Sequence, residues 1–403
     1  MRRFLAAAAL ALFGGGQAIG QEFVLVAEAT LVAAAIDGES ALATAGDGLL
    51  ADIGLVAERS DVFENGLTLA WRGEVRVQRD ARSRPSFAGV VGNCNPSAPG
   101  CPFVRDGGVR LTPISPATGL AASGRLDDED VFAVIEGASV SLAGAWGEGV
   151  AGLDAGAAAR LDARAPTVMK RVSAFSPGLD PTGLVVARAR NDVAGPSFKA
   201  TYMTPRLLGV RLGASFTPEA NRRSADFDPR YSGAGLANAE LVNVWEGAAS
   251  FSRRFPQGDI RVRAAVTTIV ASGGSRFAEF GDYQSWGAGF EAERGGWTGG
   301  VRWLRSDNAW RAGEGDYEAV EVGLVRQGDT WRIGGEASWA SDSLGQLEGE
   351  SWILGGSRKI NDNLDIGVAY TNAGAGLPVD FLGGVARQNV HNEGLIIELS
   401  VRN

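Results

Sequence analysis

The stretch Asp329–Ala340 constrains the fold more than any other part of the chain. Every second residue from Trp331 to Trp339 is apolar or small, and polar residues or glycine stand between them. A period of two indicates a β-strand with one apolar and one polar face. The two tryptophans are separated by about 26 Å of strand, and a transmembrane β-barrel has an apolar band about 25 Å tall, edged by aromatic girdles. The stretch therefore predicts a strand that spans a bilayer; the alternative is an edge strand of a soluble sandwich.

The same alternation recurs along the chain and gives about sixteen candidate strands, an even number, as in bacterial outer-membrane barrels. Gly66–Arg79 is a clear example, with Trp71 on its apolar face and Arg72 and Arg76 on its polar face. Short turns and long segments alternate between the strands. The long segments are 34–48, 80–130, 156–195, 218–240, 272–282, 308–316, 341–350 and 373–392.

This pattern predicts an all-β fold, a roughly 16-stranded antiparallel transmembrane β-barrel with short periplasmic turns and long extracellular loops. A soluble sandwich or propeller has no physical reason to alternate short and long connections so regularly. Pairing of the first and last strands removes the unpaired edges that lipid cannot satisfy. A barrel of this size is too wide for side chains to fill, so the pattern also predicts an aqueous channel.

Composition and motifs exclude several other classes of function. The formal net charge is −9 and no basic stripe with interleaved aromatics occurs, which argues against a nucleic-acid partner. No Gly-x-Ser-x-Gly segment occurs, and His391 is expected in the last long loop, at the surface. We therefore expect no catalytic residues, no cofactor and no enzymatic activity.

The N-terminus has the features of a secretory signal peptide. Arg2 and Arg3 precede a short apolar region, Phe4–Phe13, and Ala18-Ile19-Gly20 resembles a cleavage site before Gln21. The alternative, a retained anchor helix, is disfavoured because the apolar run is too short. We expect residues 1–20 to be a signal peptide and residues 21–403 to form the barrel.

Cys94 and Cys101 are the two cysteines of the chain and lie in a loop-like run. In an oxidising compartment they are expected to form a local disulfide. A metal site would need further Cys or His residues nearby, and we predict none. The acidic run Asp127–Asp130 could bind a divalent cation through carboxylate oxygens. It lacks a twelve-residue calcium loop, however, and a solvated charge run is the better interpretation.

Three segments carry a resemblance to a known family: Asn65–Leu69, Asp130–Gly137 with Gly144–Gly147, and Ser197–Phe216. They resemble the corresponding hairpins of the Gram-negative trimeric porins of the alphaproteobacterial type. The resemblance implies a homotrimer among outer-membrane lipids, with a water-filled channel for passive diffusion of small hydrophilic solutes and ions. One departure is the last residue, Asn403, where porins usually carry an aromatic residue.

The resemblance further implies that the third loop, about 156–195, folds into the lumen and narrows it. Acidic loop residues, Asp162 and Asp180, would then face basic wall residues, Arg72 and Arg76. Such opposed charges in a narrow pore select solutes by sign and size. The alternative is that the two arginines are ordinary lumen-facing residues, satisfied by Glu74 and water. By strand parity, the further wall arginines are Arg261, Arg263, Arg302 and Arg332.

Two other functions stay open at this stage. The barrel could lack a channel, as an adhesin-like structural protein or a barrel hydrolase with a reactive serine. The chain could also be a secreted, soluble β protein. The repeated aromatic residues on adjacent hairpins, Trp286, Phe290, Trp297 and Trp303, favour a membrane barrel, because they fit interface girdles better than core packing.

Overall fold

The computed structural model describes residues 18–38, 49–79, 94–122, 131–220, 235–273, 276–381 and 384–403. Sixteen of its strands close into one antiparallel barrel, and three short strands, β4, β5 and β10, form a separate sheet. The strands are β1 (Ala18–Gly38), β2 (Leu49–Phe63), β3 (Thr68–Arg79), β4 (Val104–Asp106), β5 (Val109–Pro113), β6 (Val131–Gly144), β7 (Gly147–Asp154), β8 (Ser197–Met203), β9 (Val210–Glu219), β10 (Leu236–Ala237), β11 (Leu241–Phe255), β12 (Ile260–Gly273), β13 (Tyr283–Arg294), β14 (Trp297–Ser306), β15 (Tyr317–Gln327), β16 (Trp331–Asp342), β17 (Leu347–Asn361), β18 (Leu364–Phe381) and β19 (Gly384–Arg402).

Barrel closure is made by the first and last strands. β1 pairs antiparallel with β19 from Glu28 opposite Arg402 to Gly38 opposite Asn392. On its other side β1 pairs with β2, and each barrel strand between them is hydrogen-bonded to two neighbours. The closed ladder satisfies the backbone groups that lipid would leave unpaired. The predicted fold class, a 16-stranded antiparallel transmembrane barrel, is confirmed.

The stretch Asp329–Ala340 contains most of β16, and its apolar and polar residues lie on opposite faces, as predicted. Trp331 and Trp339 are exposed on the outer surface, whereas Glu336 and Ser338 are buried on the inner side. Trp303 and Trp339 both lie opposite Val320, one on either side of it. Outward tryptophans therefore recur on β14 and β16, as an aromatic girdle at a membrane interface requires.

Two of the eight predicted long segments, 341–350 and 373–392, are wrong, because most of their residues belong to strands. Only residues 343–346 connect β16 to β17, and β19 begins at Gly384, soon after β18 ends at Phe381. These strands continue past the band where apolar and polar residues alternate, because they go on pairing with each other in register. His391 consequently lies in β19 rather than in a loop, where its Nε2 is 3.0 Å from Asn372 Nδ2.

Parts of two sequence predictions lie outside the described residues. They are most of the signal peptide, residues 1–17, and the acidic run 127–130. Within the described part of the chain, no helix is both long enough and apolar enough to span a membrane.

The segment between β3 and β6 contains the predicted disulfide. Cys94 and Cys101 are joined, with Cα atoms 5.8 Å apart, and both are buried. The segment then enters the small sheet, in which β5 pairs antiparallel with β4 and parallel with β10. This second long loop is therefore tied to the loop between β9 and β11.

The two faces of the barrel make opposite predictions for an added charge. Val322→Arg places a cation at mid-strand on the outer face of β15, where we expect a loss of about 2–4 kcal/mol of stability in lipid. Thr298→Arg places it on the lumen side of β14, opposite Glu293, where we expect little change. Unfolding in urea in the presence of lipid vesicles measures both, and equal losses would contradict the assignment of the two faces.

Candidate pore constriction

The third long loop, residues 155–196, runs inside the barrel between β7 and β8. It begins with one helical turn, Ala157–Arg160, whose three alanines are buried. From there it follows the inner wall past β14 and β16 as far as β19, and then returns to Ser197. The predicted folding of this loop into the lumen is confirmed.

Glutamates of the inner wall hold the backbone of this loop. Glu398 of β19 accepts the amide hydrogens of three successive residues, Lys170, Arg171 and Val172, at 2.8, 2.9 and 2.9 Å. Three other buried glutamates also accept amide hydrogens of the loop. Glu246 accepts one from Ala158 (3.1 Å), and Glu321 accepts one from Ala189 (2.6 Å). Glu336 accepts two, from Val168 and Ala174 (3.2 and 2.8 Å). A loop without a ladder partner needs such acceptors for its buried amide hydrogens.

Glycines on the lumen side let the loop lie directly on the wall. A Cβ on Gly289 would stand 2.2 Å from the Ala163 carbonyl oxygen, and one on Gly323 would stand 2.1 Å from that of Pro166. Any larger residue at these positions would displace the loop backbone. The strands β13 and β15 are therefore shaped for close contact with residues 163–166.

Apolar packing fixes the next part of the loop against the seam of the barrel. Met169, Val172 and Leu179 are buried in one cluster with inner-wall residues of β1, β2, β17, β18 and β19. These wall residues are Val32, Leu50, Ile353, Ala369 and Ile396. Burial of apolar surface adds a non-directional attraction to the hydrogen bonds made by the glutamates.

A cavity of about 450 Å³ lies between the loop and the wall formed by β3, β6, β7, β8 and β11. Its lining is dominated by charge, with five cationic and five acidic side chains. They are Arg72, Arg160, Arg171, Arg190 and Lys199, with Glu74, Glu136, Asp154, Asp192 and Glu246. The equal numbers leave the lining with no formal net charge.

The cations of the lining are held in close ion pairs. Arg72 is 2.7 Å from Glu74, Arg160 is 2.6 Å from Asp154, and Arg190 is 2.9 Å from Asp192. Lys199 lies 3.3 Å from Glu246, and both side chains are almost fully buried. Pairing shortens the reach of each charge, so a passing ion meets alternating fields rather than one dominant sign.

A second cavity, of about 320 Å³, lies nearer the rim that carries the short turns. Its lining includes Glu22 of β1, Glu58 of β2 and Glu148 of β7. Arg72 and Arg160 line both cavities. These two guanidinium groups therefore stand where the two water-accessible spaces meet.

Comparison with known families decides the identity of the barrel. A family model described as Gram-negative porin matches residues 6–375. The chain belongs to the Gram-negative porin family. It lies in the outer membrane and forms a water-filled channel for passive diffusion of small hydrophilic solutes and ions.

Solved porin structures share the fold of this porin at low identity. It is similar to the anion-selective porin from Comamonas acidovorans, with 12% identity, a TM-score of 0.52, and coverage of 95% of this chain and 100% of the other. It is also similar to OmpF from Salmonella typhi in complex with daunomycin, with 13% identity, a TM-score of 0.52, and coverage of 95% of this chain and 98% of the other. For OmpT from Vibrio cholerae, described as a trimer form, the identity is 10%, the TM-score is 0.51, and coverage is 95% of this chain and 100% of the other. Comparison with curated proteins finds no match.

The two arginines predicted for the constriction of the porin have different surroundings. Arg72 lines both cavities and is partly exposed. Arg76 is buried, with Asp52 at 2.5 Å and Glu136 at 3.1 Å, and Asp52 also pairs with Arg171 of the third loop at 3.0 Å. Arg76 thus lies behind the lining and helps to join the loop to the wall.

The predicted acidic loop residues line neither of the two cavities, and each has a partner other than Arg72 or Arg76. Asp162 pairs with Arg302 of β14, where both are largely buried. Asp180 is buried and accepts the amide hydrogens of Thr182 and Val185 at 2.8 and 2.9 Å. Asp180 fixes the shape of its own turn, because a short carboxylate bonds readily to the amides that follow it.

The loop and the wall also carry charge in the opposite sense to the expected one. In the first cavity the loop supplies three cations, Arg160, Arg171 and Arg190, and one acid. The wall supplies two cations and four acids. The more basic side is thus the loop, whereas the resemblance implied an acidic loop facing a basic wall.

The other predicted wall arginines fall into two pairs. Arg261 and Arg263 of β12 lie on the lumen side and face Glu293 and Glu291 across the strand pair, at 3.3 and 3.4 Å. Arg302 and Arg332 instead contact the third loop, and Arg332 donates to the Thr167 carbonyl at 3.2 Å. The second pair therefore anchors the loop.

Of the ten charged residues in the lining of the first cavity, only Arg72 was among the predicted site residues. Lys199 and Glu246 could have been found, because strand parity places both on the inner faces of β8 and β11. Arg160 and Arg190 lie in the irregular loop, where no periodicity indicates direction.

The Glu398 contact predicts that the loop docks through this carboxylate. Glu398→Gln replaces one acceptor oxygen by a donor beside three amides, so we expect a loss of roughly 2–3 kcal/mol of stability. The matched control is Glu350→Gln, an exposed position on the outer side of β17. Urea unfolding in vesicles measures the difference, and similar losses for both variants would contradict the docking role.

Proposed function

We propose that the third loop and the wall around Arg72 form the selectivity constriction of this porin. It admits hydrophilic solutes by size and discriminates weakly between cations and anions. The observation that carries this proposal is the balanced lining, in which each of the five cations has an acidic partner within 3.3 Å. Charged groups in a narrow pore impose selectivity by sign only where one sign is in excess.

The paired charges also keep the constriction wet. Ion pairs that line a water-filled space remain hydrated on their open side, so small polar solutes exchange water for protein hydrogen bonds at low cost. An apolar constriction of the same width would tend to dewet and close. The lining is therefore suited to solutes that hydrogen-bond, without a fixed site for one of them.

We also infer three properties of the working protein. It functions as a homotrimer, as OmpT from Vibrio cholerae is described. It has no enzymatic activity, in keeping with a family of channels. Residues 1–20 are removed on export, as the charged and apolar pattern of the N-terminus favours.

Charge neutralisation at the cavity junction tests the constriction. Arg72→Gln is expected to shift the permeability ratio toward cations, and Glu74→Gln toward anions, each by roughly twofold, because each leaves one uncompensated charge in the lining. The measurement is the reversal potential in a potassium chloride gradient across planar bilayers, where the unchanged porin should reverse near zero.

The control is Arg305→Gln, an arginine on the exposed outer face that pairs with Asp316. It should leave the reversal potential unchanged. Shifts of the same sign for the Arg72 and Glu74 variants, or no shift for either, would contradict a constriction at this junction. The absence of any conductance from folded protein would contradict the channel itself.

A further inference from the structure

A second segment of the porin also enters the barrel, in addition to the third loop. After β5 the second long loop turns back on itself. Ser115 N donates to Leu120 O at 2.9 Å, and Ile114 pairs with Ala121 in an isolated bridge. Residues 112–122, the plug segment, are all buried. A loop tip on the extracellular surface would be expected to face solvent.

The plug segment is fixed on the far side of the barrel from its own strands. The loop connects β3 to β6, yet Ser115 donates to the buried Asp342 carboxylate at the end of β16. Asp342 also accepts hydrogen bonds from Asn308 Nδ2 at 3.1 Å and from Gly345 N at 3.0 Å. One carboxylate therefore holds the second loop together with the loops after β14 and β16.

The plug segment also contacts the third loop directly. Ala117 N donates to Asn308 Oδ1 at 3.0 Å, and the Ala117 carbonyl accepts from Arg188 Nη1 at 3.2 Å. Ala117 and Leu120 pack in one cluster with residues 184–187 and Ala189 of the third loop. The two loops thus form one packed body inside the barrel.

The inner wall beneath this body is apolar. The same cluster contains lumen-side residues of β14, β15, β16, β17, β18 and β19 that are 0–4% exposed: Leu304, Tyr317, Ala319, Ala340, Leu347, Ala373, Ala375, Leu377 and Val390. The lumen face of a water-filled barrel is normally polar. Apolar residues at these positions indicate that this part of the wall is built to be covered by protein.

The two cavities beside Arg72 lie on the other side. Among the described residues, their linings come from β1, β2, β3, β6, β7, β8 and β11 and from the third loop. No lining residue comes from the plug segment or from β12 to β19. These two cavities and the plug segment therefore occupy opposite sectors of the barrel.

We propose that the second loop is a built-in plug of the β14–β18 sector, and that it confines permeating solutes to the sector that contains Arg72. This proposal rests on the constriction proposed above. The size limit for uncharged solutes is then set jointly by two loops. The plug segment acts as a positioning element, since it reaches the open path only through the third loop.

The bridge between Ile114 and Ala121 allows the tip to be removed without moving its ends. Replacing residues 115–120 by Asn-Gly converts the tip into a two-residue hairpin turn. We expect single-channel conductance to rise by roughly twofold, because a wider water-filled cross-section opens. Larger poly(ethylene glycol)s should also enter, as measured by their effect on conductance.

A point variant tests the same contact more gently. Asp342→Ala removes the carboxylate that holds Ser115, and it should shift conductance and polymer cut-off in the same direction. Asp316→Ala is the matched control, since this exposed carboxylate pairs with Arg305 outside the plug. It should change neither quantity. Heat-modifiable gel mobility identifies folded protein, and Asp342→Ala supplies the result if the replacement does not fold.

The outcomes separate the plug from the channel. Conductance of the unchanged porin with larger values in folded plug variants supports the proposal. An unchanged polymer cut-off and conductance in folded variants would overturn the plug and leave the channel intact. Failure of the unchanged porin to conduct would overturn both.

Discussion

Everything distinctive about this channel depends on how an irregular loop satisfies its backbone inside a barrel. The third loop forms only one helical turn, so most of its amides need partners from elsewhere. Glu246, Glu321, Glu336 and Glu398 provide them from four different strands. Because these acceptors are carboxylates fixed on a rigid ladder, the loop has a defined path, and the charged cavity beside Arg72 has a defined shape.

The barrel itself could be predicted from the sequence, because the same short-range alternation of apolar and polar residues recurs in strand after strand. Alternation in segments such as Trp331–Trp339 fixes which residues face lipid, and closure follows from the need to satisfy strand edges. Two loop lengths were misjudged, because alternation weakens where β17, β18 and β19 extend beyond the apolar band. The disulfide could also be predicted from the sequence, since Cys94 and Cys101 are the sole cysteines.

The site was less predictable, because its residues meet through the loop rather than through strand order. Arg72 was found by parity, but Asp162 and Asp180 were assigned by their charge alone. Their actual partners, Arg302 and the amides after Asp180, depend on a path that no periodicity encodes. The inward glutamates are ambiguous in the same way. Strand parity shows that their side chains point into the lumen, but not whether water or a loop amide will bond to them.

The position of Glu398 on the last strand has a consequence for assembly. Residues 170–172 bond to β19, while Arg171 pairs with Asp52 on β2, and β1 lies between these two strands. This part of the loop therefore bridges the seam where the chain ends meet. It can complete its contacts only after the first and last strands have joined, the pairing with the greatest sequence separation in the barrel. The narrowing of the pore is thus a late event, and the loop fastens the closed cylinder from within.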